Sequence, residues 1–189
     1  DNFLIDMDSE VVGVVEEGGR VAGVQMADGR IIMSQGGLVI AADGRRSIVR
    51  SDPALPLKEI GAPMDIFWFA VPKSKAVDGG IRGVMDRGQM LVMIDRHDYW
   101  QCAYLIAKGS EQKLRDAGIA AFRNRIRVMV PDVGNLDEAL TDMDQLKLLS
   151  VALERLEIWS RPGLLVIGDA AHTMSPIGGI GINLAIQDA

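Results

Sequence analysis

Two carboxylates carry the first chemical signal in this sequence of 189 residues. Asp169 follows the apolar run 164–167 and Gly168, and Asp43 follows the apolar run 38–42. A short apolar run bounded by turn residues reads as a buried strand, so each carboxylate stands at the C-terminal end of a strand. Behind Asp169 come Pro176, Gly178, Gly179 and Gly181, then Ile182, Asn183 and the apolar spacing of a helix start. A carboxylate accepts from two ligand hydroxyls, and glycines let a ligand approach the backbone. A helix start adds free N–H groups and a partial positive charge. By spacing alone this is a nucleotide or flavin site. Behind Asp43 come Gly44, Arg45, Arg46, Ser47 and Arg50, a turn and a short helix. Ser47 can bond the N–H groups of the first helical turn, and the arginines supply positive charge for phosphates. The alternative for this stretch is an Asp-Gly turn capping a helix, with solvated arginines.

Taken together, the two stretches resemble diagnostic motifs of the FAD-dependent aromatic hydroxylases, the single-component flavoprotein monooxygenases of the p-hydroxybenzoate hydroxylase type. One motif stands here as Gly168-Asp169-Ala170-Ala171-His172, Pro176, Gly179-Ile180-Gly181-Ile182-Asn183 and Asp188-Ala189. The other stands as Asp43, Gly44, Ser47, Val49 and Arg50. The resemblance implies that Asp169 bonds ribityl or ribose hydroxyls of FAD. It places Asp43, Gly44 and Arg50 near the pyrophosphate and links them to use of a nicotinamide cofactor. It lays the loop from Pro176 to Asn183 along the isoalloxazine ring, where the helix start would stabilise negative charge on the reduced flavin. No side chain is assigned a catalytic role. The flavin does the chemistry, with Pro176, Gly178 and Gly179 beside it.

The activity so implied is reduction of FAD by NADPH or NADH, formation of a flavin hydroperoxide with O₂, and hydroxylation of an aromatic or similar small organic substrate. Two other readings stay open. One is a flavin reductase or halogenase on the same scaffold, and the other is a truncated, non-catalytic binding module. The family's N-terminal G-x-G-x-x-G turn, which holds the ADP half of FAD, has no counterpart here. With a start lacking Met and an end inside a helical pattern, the sequence reads as an internal piece that would bind FAD weakly by itself.

Composition fits that reading. A net charge of −6 argues against nucleic acid or an anionic membrane as partner. The single cysteine, Cys102, allows no intrachain disulfide and points to a reducing, cytoplasmic compartment. No apolar run is long enough to span a bilayer. Two histidines and one cysteine far apart make no metal signature. His172 is expected to make a structural hydrogen bond on its turn rather than to act as a general base, and Cys102 to be core.

The elements that must position these residues follow in order. Strands are predicted at 11–16, 21–27 and 30–34 around Gly-rich turns, then a parallel strand at 38–42. After a Pro-rich connector over 51–63, strands at 64–71, 83–86, 90–95 and 99–107 form an antiparallel meander. A helix spans 111–130 and ends at Pro131, a second short helix lies within 132–140, and one strand is expected over 146–158. The fold class is α/β, α+β overall. Part of a Rossmann-like FAD-binding domain (1–52 and 161–189) would enclose an antiparallel substrate domain with helices (53–160). Phe67, Trp68, Phe69, Tyr99, Trp100 and Tyr104 could line a substrate pocket or belong to the sheet core.

Overall fold

The computed structural model describes residues 3–73, 79–176 and 178–189. The chain is of the α/β class and forms two compact units, Asp1–Gly61 with Ala152–Ala189, and Ala62–Val151.

In the first unit, β1 (Val11–Glu17) and β2 (Arg20–Met26) form the expected hairpin, and β3 (Ile31–Met33) adds to it after Asp28-Gly29. β4 (Val39–Ala41) runs parallel to β13 (Leu164–Val166), and β12 (Ser160–Arg161) pairs antiparallel on the far side of β13. The turn at Pro162-Gly163 joins these two sheets. Val21 donates its N–H to the Pro162 carbonyl at 2.9 Å, and Val39 donates to the Gly163 carbonyl at 2.8 Å. A third sheet sets β5 (Leu57–Glu59) and β14 (His172–Thr173) on either side of β11 (Glu154–Leu156), all antiparallel. The predicted connector 51–63 thus contains a strand. Its three residues have no apolar alternation of their own, and it is β11 that makes them a strand. Val21, Val49, Leu55, Leu156, Leu164, Val166, Ala170 and Ala171 form the core of this unit.

The second unit is a five-stranded antiparallel sheet built from β6 (Met64–Pro72), β7 (Ile81–Asp86), β8 (Gln89–Asp95), β9 (Tyr99–Ala107) and β10 (Lys147–Leu149). Its order is β10-β6-β9-β8-β7. The helix α1 (Glu111–Met129) covers one face, with Phe122, Ile126 and Met129 buried at helical spacing. The backbone of α1 leaves helical geometry at Gly118, with φ 79° and ψ 166°. Phe67, Phe69 and Tyr104 meet the Phe122 ring edge-on, at centroid distances of 6.1, 5.4 and 5.4 Å. These three aromatics are sheet core rather than pocket lining. Trp100 and Cys102 are buried with them. Desolvation pushes the Cys102 thiol up to about 12, so it is no nucleophile near neutral pH. By strand alternation and register, Trp68, Gln101 and Ala103 face the other side of the sheet. The short helix α2 (Leu136–Ala139) is capped by the Asn135 side chain.

The single strand expected over 146–158 is two strands, β10 and β11, in different sheets. The divide falls at Val151, which is buried and donates its N–H to the buried carboxylate of Asp65 at 3.1 Å. The same carboxylate accepts from Lys108 Nζ at 2.7 Å and Gly109 N at 3.1 Å. Burial would raise the Asp65 carboxyl, but the bonds from Lys108, Gly109 and Val151 outweigh it and hold the group below its ordinary value. A depressed carboxylate stabilises the fold above its unfolded value of about 4, and that contribution disappears as pH falls through the folded one. Asp65→Ala should therefore cost about 3 kcal/mol at neutral pH. Denaturant unfolding at several pH values should show the difference from the parent shrinking below about pH 4.

Candidate functional site

Parallel pairing brings both carboxylate-bearing turns to one edge of a sheet. Val166 lies opposite Ala41, and Ile167 donates its N–H to the Ala41 carbonyl at 3.0 Å. The turn that starts at Asp43 and the 3₁₀ turn Gly168–Ala170 therefore leave the sheet side by side. The region outside the carboxyl ends of parallel strands is where open α/β sheets bind ligands.

On the first turn, Asp43 Oδ2 accepts from Ile48 N at 3.1 Å, and Ser47 Oγ accepts from Val49 N at 3.3 Å. Both caps serve the 3₁₀ helix Ile48–Ser51. Asp43 is nonetheless exposed, with Gly44 half-buried beside it. Arg50, offered by its sequence context as a cation for phosphate, points into the protein. Its Nη1 donates to Glu154 Oε2 at 2.5 Å, its Nε to the Ala170 carbonyl at 3.0 Å, and its Nη2 to the Asp169 carbonyl at 2.9 Å. One planar guanidinium thus straps the first motif to the second across the sequence.

On the second turn, Gly168 and Ala170 are buried while Asp169 between them is exposed. Its backbone is fixed by Arg50 and its side chain is accessible. The loop that follows turns at Gly179, whose N–H donates to the Pro176 carbonyl at 3.0 Å. Gly178 and Gly179 have φ of 93° and 64°, and among the described residues no atom beyond the chain neighbours lies within 4 Å of where a Cβ would stand on either. Ile177, inside the stretch expected to face the ring, lies outside the described residues. The helix α3 (Gly181–Asp188) starts with no side-chain cap, and Ile182 and Asn183 in its first turn are exposed. Its leading N–H groups have no partner within the helix. An exposed carboxylate, open space above two glycines and an uncapped helix start fit a flavin nucleotide: acceptor for hydroxyls, room for a flat ring, donors for a developing anion.

The far end of α3 is fastened to the same turn. Asp188 Oδ2 accepts from Gly168 N at 2.9 Å and lies 2.8 Å from His172 Nε2. His172 stacks on Trp159, with ring centroids 5.1 Å apart and planes 24° from parallel. Burial would raise the Asp188 carboxyl, yet the bonds from His172 and Gly168 hold it below its ordinary value. An ionised carboxylate only accepts, so His172 Nε2 carries the hydrogen. His172 makes a structural hydrogen bond, as its place on a turn predicts. Trp159 beside His172 and Glu154 on Arg50 are invisible to motif reading; Asp188 stands in the motif, but its pairing with His172 does not show there.

Comparison with known proteins identifies the family. The family profile described as "FAD binding domain" matches residues 2–189. The chain is 36% identical over 192 residues to 6-methylpretetramide 4-monooxygenase of Streptomyces rimosus, an alignment covering 96% of this chain and 44% of that protein. It is 27% identical over 186 residues to 6-hydroxynicotinate 3-monooxygenase of Pseudomonas fluorescens, covering 92% of this chain and 47% of that one. Its fold superposes on the crystal structure of PqsL, a probable FAD-dependent monooxygenase from Pseudomonas aeruginosa, with a TM-score of 0.74 at 21% identity. That match covers 95% of this chain and 50% of PqsL. The chain thus spans about half the length of the relatives it matches. A profile that matches nearly the whole of this chain, and a relative above 30% identity, place the chain in the FAD-binding-domain family, that of the FAD-dependent aromatic hydroxylases.

Proposed function

We propose that the full-length protein is an NADPH- or NADH-dependent monooxygenase that uses FAD and O₂ to hydroxylate a small aromatic substrate. The observation that carries this reading is the exposed Asp169, held at the end of the parallel pair beside an open glycine loop and an uncapped helix start. We assign the unit Asp1–Gly61 with Ala152–Ala189 to FAD binding and the unit Ala62–Val151 to the substrate side.

Asp169 would accept from ribityl or ribose hydroxyls. Asp43 and Gly44 lie at the neighbouring strand end, where the pyrophosphate would pass. Pro176, Gly178, Gly179 and Gly181 would border the ring, with the backbone N–H groups of Ile182 and Asn183 turned to its electron-rich edge. Arg50 would act through Asp169, by fixing that residue's carbonyl. When bound, FAD supplies hydride acceptance and activation of O₂, and the protein supplies position and electrostatics. The names of the Streptomyces and Pseudomonas fluorescens relatives point to a ring-bearing substrate. A cytoplasmic location, where NAD(P)H is supplied, accompanies that reductant.

The test uses the full-length protein. Candidate aromatic substrates should stimulate NAD(P)H oxidation, and under ¹⁸O₂ the product should carry one labelled atom. Turnover without label in the product would refute hydroxylation. Asp169→Ala should lose FAD on dialysis under conditions where the parent keeps it. Equal retention would refute the site.

A further inference from the structure

Ala185 and Asp188 of α3 both meet the turn that carries Asp169. Ala185 packs over Gly168, where an added Cβ would come 3.3 Å from the Ala185 Cβ. Asp188 holds Gly168 N and His172 Nε2 with a single oxygen. Gly168 and His172 flank Asp169 in sequence, and Trp159 backs the His172 ring. The clasp therefore grips the turn that presents the Asp169 carboxylate. At 1.5 Å per residue, Gly181 lies about 10 Å up the helix axis from the clasp. A slip of one residue there would move the leading N–H groups by about 1.5 Å and turn them by about 100°.

We propose that Asp188 is a positioning residue of the flavin site. Its carboxylate, through Gly168 N–H and His172 Nε2–H, sets the distance between Asp169 and the first turn of α3. By setting that distance it governs the affinity and the reduction potential of the bound flavin. The proposal rests on the flavin reading above. The bound ring would sense the clasp unequally in its two redox states. Reduced flavin carries more negative charge beside the helix start and loses more when those N–H groups shift.

Full-length protein carrying Asp188→Ala, Asp188→Asn or His172→Phe tests this, with Asp169→Ala as reference. FAD affinity is measured by titration of the apoprotein and midpoint potential by spectroelectrochemistry. Asp188→Ala is expected to weaken FAD binding about tenfold, the size of losing a charge-assisted hydrogen bond. The potential should fall by about 30 mV for each tenfold by which the reduced form is weakened more than the oxidised. Asp188→Asn keeps an acceptor for Gly168 N and should restore most of the affinity. His172→Phe keeps the ring on Trp159 but removes the bond, and should shift affinity and potential in the same direction as Asp188→Ala. The two changes combined should do no more than the larger alone. If Asp188→Ala fails to fold, the other two variants carry the comparison. In the apoprotein, ¹⁵N NMR should find His172 protonated at Nε2.

Wild-type affinity and potential in Asp188→Ala and His172→Phe, or in His172→Phe alone where Asp188→Ala does not fold, while Asp169→Ala loses FAD, would overturn the clasp and leave the flavin site standing. A His172 ring unprotonated at Nε2 would overturn it as well. Full FAD binding by Asp169→Ala would overturn the flavin reading and the clasp's role with it.

Discussion

Gly163→Ala is expected to destabilise the fold by about 4 kcal/mol or more, enough to unfold a marginal protein. Gly163 has φ +79°, and a Cβ there would stand 1.9 Å from the Val21 carbonyl oxygen. That oxygen is backbone on a paired strand, so no side-chain rotation relieves the overlap. Relief requires the hairpin sheet to part from the parallel pair, which breaks the bonds from Val21 to Pro162 and from Val39 to Gly163. Gly29→Ala provides the comparison. Its φ is +87°, but among the described residues no atom beyond its chain neighbours lies within 4 Å of its Cβ position, so it should cost only the conformational penalty of about 1–2 kcal/mol. Denaturant unfolding of both variants separates overlap from backbone strain. Equal losses at the two positions would show that the close approach to Val21 does not govern the stability of the turn.

Arg50→Met should have the second largest effect, on stability and ligand binding together. The Arg50 side chain is 10% exposed and its partner Glu154 24% exposed. Removing the guanidinium leaves a part-buried carboxylate without its cation and takes a donor from each of two carbonyls, at about 3 kcal/mol. FAD affinity should fall about tenfold, because the Asp169 carbonyl loses its anchor. Arg50→Lys distinguishes the two consequences. A lysine can pair with Glu154 but cannot reproduce the rigid fork to Asp169 and Ala170. Much of the stability should return while FAD binding stays weak. Recovery of both would mean that charge alone is required at this position.

How far these features could be read in advance depended on the range of the forces behind them. The strand-turn-carboxylate pattern at Asp43 and Asp169 is local, as are the Asp28-Gly29 turn and the apolar spacing of α1, and each was legible. The parallel strand at 38–42 was legible from its apolar run, and the structure supplies its partner, β13. The split of 146–158 was hidden because its apolar residues continue through Val151, and the break depends on Asp65, 86 positions earlier. Strand β5 was hidden because its pairing partner lies beyond the second unit. At the candidate site, residue types announced the glycines and Asp169. The direction of Arg50 was set by Glu154, 104 positions away, and no local pattern carries that information. The departure of α1 from helical geometry at Gly118 was also unannounced, since the apolar period runs on past it.

The pairing of β5 with β11 has a consequence for biosynthesis. The first unit is assembled from Asp1–Gly61 and Ala152–Ala189, so its opening segment leaves the ribosome before its closing segment has been translated. At about 5–20 residues per second, the interval is on the order of 5–20 s. Through that interval β4 has no β13, β5 has no β11, and Arg50 has neither Glu154 nor the Asp169 carbonyl. The nascent hairpin then presents Ile31, Ile32 and Met33, exposed even in the finished fold, beside strand edges not yet paired. That is the kind of surface a ribosome-associated chaperone shields. The second unit is continuous, so all its strands are in hand as soon as Val151 emerges.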